Sequence, residues 1–140
     1  MRYRLSAALV VGGLLLTAMP VVAHHAVQAQ FDQDKQLEVT GTLTKVMWIN
    51  PHVRWYLDVK DNSGKVTTWN ISGAGPGGFR AIGITGRDVF KAGQTYTARI
   101  ALARDGSNLG YIMFFVLPDG RKIDLWQQYA QEAARAAAGK

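Results

Sequence analysis

At 140 residues the chain has room for one small domain, and with no cysteine it can use neither a disulfide nor a thiolate. Sixteen Lys and Arg against ten Asp and Glu give a formal net charge of +6, of which Arg2 and Arg4 supply two. The remaining +4 is spread too thinly for a nucleic-acid footprint.

Arg2 and Arg4 precede an uncharged stretch, residues 5–23, that contains the apolar run Ala7-Ala8-Leu9-Val10-Val11 and Leu14-Leu15-Leu16. This is the layout of a secretory signal peptide. Met19-Pro20-Val21-Val22-Ala23 adds a helix breaker and suitable residues at −3 and −1 of a cut after Ala23. The apolar core is shorter than the ~20 residues a spanning helix needs, so the segment is expected to be removed rather than kept as an anchor. The expected location is the periplasm or beyond. Removal of residues 1–23 leaves 117, beginning His24-His25. A competing cut after Ala29, with Val27 at −3, discards both histidines.

Residues 24–36 read as an N-terminal arm. From Leu37 the chain alternates, with Leu37, Val39, Gly41 and Leu43 on one face and Glu38, Thr40, Thr42 and Thr44 on the other, which is a half-buried strand. Val46 and Trp48 continue the apolar face out of parity, which predicts a bulge or bend between Gly41 and Lys45. After Asn50-Pro51, a second strand places Val53, Trp55, Leu57 and Val59 inside and Arg54, Tyr56, Asp58 and Lys60 outside. Asp61-Asn62-Ser63-Gly64 is hairpin-turn chemistry, and residues 66–71 make the returning strand.

The glycine-rich run 72–78 reads as a loop whose glycines permit positive φ, and one or two short helical turns are expected between Pro76 and Lys91, with a capping pattern at Thr85-Gly86-Arg87-Asp88. Strands return at 95–103 and 109–117, the second apolar on both faces and therefore central and covered. Pro118-Asp119-Gly120 is another tight turn, and 121–125 form a short terminal strand. From Trp126 the spacing becomes helical, with Tyr129 and several alanines on one face.

This order predicts an all-β domain over residues 37–125, a small five- to six-stranded OB-like barrel with a short helical connection and a C-terminal alanine-rich helix over 126–140. An open sandwich of the same strands fits the periodicity equally, since closure depends on tilt and register.

All three histidines fall in two places, His24-His25 and the turn Trp48-Ile49-Asn50-Pro51-His52. The α-amine and ring of a mature N-terminal histidine can chelate one metal ion, and amine and imidazole nitrogens favour copper(II) among the common divalent ions. If the arm folds back onto the turn, His52 completes a site, with His25 or a carboxylate such as Asp32 within reach. The plainer reading is an untied terminus and a histidine bonded to the barrel rim.

Other signals fail. Gly64-Lys65 lacks the spaced glycine and following Ser or Thr of a phosphate loop, and run 72–78 has no strand and long helix around it for a dinucleotide site. There is no Gly-x-Ser-x-Gly elbow. The carboxylates sit mostly at turns or on polar strand faces, and Met47 and Met113 suit core packing better than copper(I). Arg54, Tyr56 and Lys60 resemble a single-strand-binding face, but one tyrosine is a thin stacking platform and an exported protein seldom meets nucleic acid.

The combination of His24-His25, Phe31-Asp32, Asn50-Pro51-His52, Ala103-Arg104-Asp105-Gly106 and Leu117-Pro118-Asp119-Gly120 resembles an uncharacterised family, a domain of unknown function in small exported bacterial proteins. The resemblance covers about residues 23–123. The chain departs from the pattern at 72–78, where a more acidic, proline-containing stretch is expected, and in its alanine-rich end. It implies export and an OB-like shape but no activity, so function must come from the site. The expectation is an exported, non-enzymatic binding module that holds copper through His24, His25 and His52. The alternative is an envelope module for an unknown protein or small ligand, without a metal; neither reading keeps a stable membrane anchor.

Overall fold

The computed structural model describes residues 27–84 and 87–126. Its strands are β1 (Phe31–Met47), β2 (Arg54–Lys60), β3 (Val66–Ser72), β4 (Thr95–Ala103), β5 (Leu109–Val116) and β6 (Lys122–Asp124), with one short helix, α1 (Pro76–Ala81), and a 3₁₀ turn (Arg87–Val89) between β3 and β4. Among the described residues no helix is long and apolar enough to cross a membrane.

β1 runs 17 residues and serves two partners. Its first part pairs with β4, from Phe31 opposite Ala103 to Thr42 opposite Thr95, and its last part pairs with β2, from Thr42 opposite Asp58 to Met47 opposite Arg54. The expected break in parity is a shift of register between Leu43 and Lys45, which leaves Thr44 as the extra residue and returns Val46 to the inner side. The strand starts six residues before the alternation does. Residues 32–36 are polar, and the pairing is irregular between Asp32 and Gln36, so no period of two marks them. Phe31, buried to 3% exposure, anchors this beginning, whereas Leu37, where the alternation begins, is 38% exposed.

The strands follow the order β3-β2-β1-β4-β5-β6, and β3 also pairs in parallel with β5 through Asn70–Leu109, Ile71–Gly110 and Ser72–Tyr111. That pairing links β1, β2, β3, β5 and β4 into a ring, the OB-type order. The link is three residue pairs long because one edge of β5 is shared: its first residues take β3 and its last, Phe114–Val116, take β6.

The interior is aromatic. The Trp55 ring lies 5.1 to 5.5 Å from those of Phe115, Phe90 and Phe79, each edge-on, which suits the ring quadrupoles. Leu43, Leu57, Ile71, Ile100 and Ile112 complete a core that is closed to solvent. Six residues are too few for a helix to persist by propensity, so α1 is held by Phe79, its one buried residue, which packs on Trp48 and Trp55. Thr85 and Gly86 of the expected cap lie outside the described residues. So does nearly all of the expected C-terminal helix; Trp126, the last residue described, sets its ring edge-on to Tyr111 at 6.0 Å.

Candidate functional site

Between β1 and β2 the chain turns through residues 48–53, with a cis bond at Asn50-Pro51. The segment after β3 lies across this turn. Gly73 N–H donates to the Val53 carbonyl at 3.0 Å, and Val53 N–H donates to the Ala74 carbonyl at 3.1 Å. The two backbones approach too closely for side chains. A Cβ on Gly75 would stand 2.7 Å from the Pro51 carbonyl oxygen, and one on Gly73 would stand 2.8 Å from both the Trp55 ring and Ile112. The expected reason for these glycines is therefore corrected. Positive φ occurs among the described glycines at Gly64, Gly83, Gly93, Gly106 and Gly120, and not in the 72–78 run, where close contact requires the missing side chain at Gly73 and Gly75.

The docked loop fixes His52. Its Nδ1 lies 2.8 Å from the Gly73 carbonyl oxygen, which can only accept, so Nδ1 donates that hydrogen bond and Nε2 is the ring nitrogen the bond does not use. A carbonyl holding one ring nitrogen while the other is free is the arrangement that orients metal-binding histidines.

The segment leading into β1 is brought to the same place. Residues 27–30 form a helical turn, and Val27 and Phe31 are buried with Ala101, Ala103 and Tyr111 in a second small cluster, the Phe31 and Tyr111 rings 5.5 Å apart. Arg104, in the β4–β5 turn, clamps this segment. Its backbone N–H donates to the Gln30 carbonyl at 3.0 Å, its Nε donates to the Gln28 carbonyl at 3.3 Å, and its Nη1 lies 3.4 Å from the Asp32 carboxylate.

The result is a cleft of about 60 Å³ with Val27, Gln30 and Phe31 on one side, His52, Arg54 and Ser72 on another, and Leu109 and Tyr111 completing it. Val27 follows His25 by two residues in the sequence. His24 and His25 lie outside the described residues. Asp32, one step along the strand from Phe31, does not line the cleft; it is engaged by Arg104 and by Lys35 at 3.9 Å. Met47 instead accepts a hydrogen bond from the Tyr56 hydroxyl at 3.6 Å, and Met113 is likewise absent from the lining. Among the described residues no three His, Asp or Glu stand close enough to form a metal site by themselves.

A second concavity, about 350 Å³ and more open, lies between the α1 connection and β6, lined by Ile82, Ile84, Val89 and Ile123 with Arg121 and Lys122. Both cations there are occupied: Arg121 Nε pairs with Asp119 at 2.7 Å, and Lys122 Nζ sits 3.9 Å above the Phe114 ring. On the face singled out for nucleic acid, Lys45 Nζ stands 5.7 Å over the Tyr56 ring.

Three turn aspartates hold their carboxyls below the ordinary 3.8. A hydrogen bond from the Ser63 hydroxyl leads at Asp61, one from the Ser107 hydroxyl at Asp105, and the Arg121 backbone N–H at Asp119. None of these lines the cleft.

The arm was read from the sequence, but neither its attachment to Arg104 and Tyr111 nor the docking of the loop was visible as a pattern, because both depend on contacts between distant segments. The one signal in the sequence was indirect: Phe31 standing alone among polar residues, and Arg104 in the turn that meets it.

No curated protein matches the chain. Similar solved structures include the mitochondrial single-stranded DNA binding protein Rim1 of S. cerevisiae, 12% identical, with a TM-score of 0.45 over 60% of this chain and 94% of that one. Yeast Stn1 and Ten1 give 13% identity and a TM-score of 0.38 over 73% of this chain and 54% of that one, so the chain spans about half of its length. Both likenesses are of fold alone, and the OB-type order rests on the strand pairings themselves. The model of a family of unknown function, DUF6152, matches residues 11–112, and the chain belongs to that family.

Proposed function

We propose that the mature protein is an exported, non-enzymatic binding module that holds copper between its N-terminal histidines, His24 and His25, and His52. The observation that carries this reading is the shared cleft: Val27 and His52 line the same about 60 Å³ space, with the His52 proton committed to Gly73. From Val27, chain of ~3.5 Å per residue reaches about 7 Å to His25 and about 10 Å to His24. The volume supports an ion rather than a metabolite, because small-molecule sites run to roughly 300–1,000 Å³. An N-terminal amine with imidazole nitrogens is a donor set that favours copper(II).

The test is a competitive copper(II) titration of the exported protein, its first residue checked by mass spectrometry. Binding tighter than that of a peptide of residues 24–33, and weakened by His52→Ala, supports the reading. Peptide-like binding that ignores His52→Ala rejects it.

The second reading is an envelope module for a protein or small ligand with the histidines incidental. The about 350 Å³ groove beside β6 favours it, being of ligand size. On that reading a chain starting at Gln30 retains every partner that the full mature chain captures from an envelope extract, and loss of those partners rejects it.

A further inference from the structure

The part of the cleft that β2, β3 and β5 supply is a row of three side chains. Arg54 stands opposite Ser72 in the β2–β3 pairing, and Ser72 stands opposite Tyr111 in the β3–β5 pairing, so the three leave the sheet on one face as neighbours. Ser72 is 6% exposed, yet its hydroxyl has no hydrogen-bond partner among the described residues. Arg54, half-buried beside it, has neither an ion pair nor a side-chain hydrogen bond among them. The ion pairs there join Asp32 to Lys35 and Arg104, Glu38 to Arg99, and Asp119 to Arg121. No carboxylate is on the described lining, whereas the Gln30 amide adds a further donor. A partly desolvated cation without a counter-charge and a buried hydroxyl without a partner both gain from an anion that reaches them.

We infer that the cleft binds a short carboxylate, of the size of formate or acetate, with its oxygens on Arg54 and Ser72. The guanidinium fork matches both oxygens of a carboxylate, and charge-assisted pairs of this kind are the strong ones. The rest of the lining selects among oxyanions. Val27, Phe31 and Leu109 are apolar, which suits an anion that is polar at one end only and not a phosphate, which carries oxygens on every side. The volume sets the size limit: about 60 Å³ is room for roughly two waters at ~30 Å³ each, so a long-chain or aromatic acid is excluded. This inference does not rest on the proposed copper site, since it uses neither a metal nor residues 24 and 25.

The test titrates the metal-free protein with acetate at constant pH and ionic strength and follows the backbone amides by nuclear magnetic resonance, with phosphate and benzoate as comparisons. Saturable shifts centred on Arg54, Ser72 and Gln30 are expected, with phosphate and benzoate binding more weakly. Arg54→Gln should weaken acetate binding at least about tenfold, and Ser72→Ala about threefold. Arg54→Lys, which keeps the charge without the fork, should recover only part of the Arg54→Gln loss. Thermal melting of each variant confirms a folded chain. Shifts that do not saturate, phosphate or benzoate binding as tightly as acetate, or an affinity that survives Arg54→Gln overturns the inference. Because no metal is present in this titration, none of these outcomes decides the copper reading, which the His52→Ala titration tests by itself.

Discussion

The barrel interior and the cleft beside His52 draw on the same strands but are put together differently. The interior is large, dry and repetitive: alternate residues of β1, β2, β4 and β5 converge on Trp55, whose indole N–H has no partner among the described residues. The cleft is small and of mixed polarity, and its parts arrive from four separate segments: residues 27–31 held by Arg104, His52 and Arg54, Ser72 at the end of β3, and Leu109 and Tyr111 of β5. Burial therefore sets whether the chain folds, while a few backbone contacts set where His52 stands. Stability and binding should come apart on mutation.

The largest stability effect is expected in the interior. Leu57→Ala, at a fully buried position, should cost about 2–5 kcal/mol in urea unfolding and leave the folded fraction's copper affinity as it was. A matching loss of affinity would join the two regions. Next is Gly75→Ala. Its new methyl meets the Pro51 carbonyl, a backbone group that cannot swing aside, so a cost of about 1–3 kcal/mol is expected. Here copper affinity should fall with stability, because the strip that receives the His52 proton is displaced.

Val27→Ala reverses the balance. It trims a 6% exposed side chain at the edge of the smaller cluster, about 1 kcal/mol by area, yet it loosens the segment that leads to His25, so affinity should fall more than stability. Equal losses in both would argue that the cleft wall is merely core.

The smallest effects belong to the turns. Because the Asp61 carboxyl is held below 3.8 in the folded chain, its contribution is complete above that value and is lost as pH falls below 3.8 through the folded value. The Ser63 and Lys65 amides, which donate to Asp61 Oδ1 at 2.8 and 3.0 Å, should lose protection from hydrogen exchange over that range before the strands do. Protection that is unchanged down to global unfolding would contradict this.

The sequence made the barrel readable because burial leaves a period of two. β4 was expected at 95–103 and lies there, β2 and the returning β3 differ by a residue or so, and the Leu43/Lys45 shift appeared as a break in parity. What escaped it lacks a period. The beginning of β1 carries one apolar anchor, Phe31, before a run of polar residues. Gly73 and Gly75 looked like turn residues, whereas Gly75 admits the Pro51 carbonyl and Gly73 admits the Trp55 ring and Ile112 at contact distance, which no local pattern encodes. Of the candidate ligands, His52 was legible as a turn histidine; its Gly73 partner and its Val27 neighbour were not.

The proposed copper site requires that the N-terminus and His52 meet at one copper ion. Pulsed electron paramagnetic resonance of a chain beginning at His24, with one equivalent of copper(II), comparing the parent with His52→Ala, is the decisive measurement. One fewer imidazole nitrogen coupled to copper in the variant is the expected result. An identical nitrogen pattern in both proteins would contradict it.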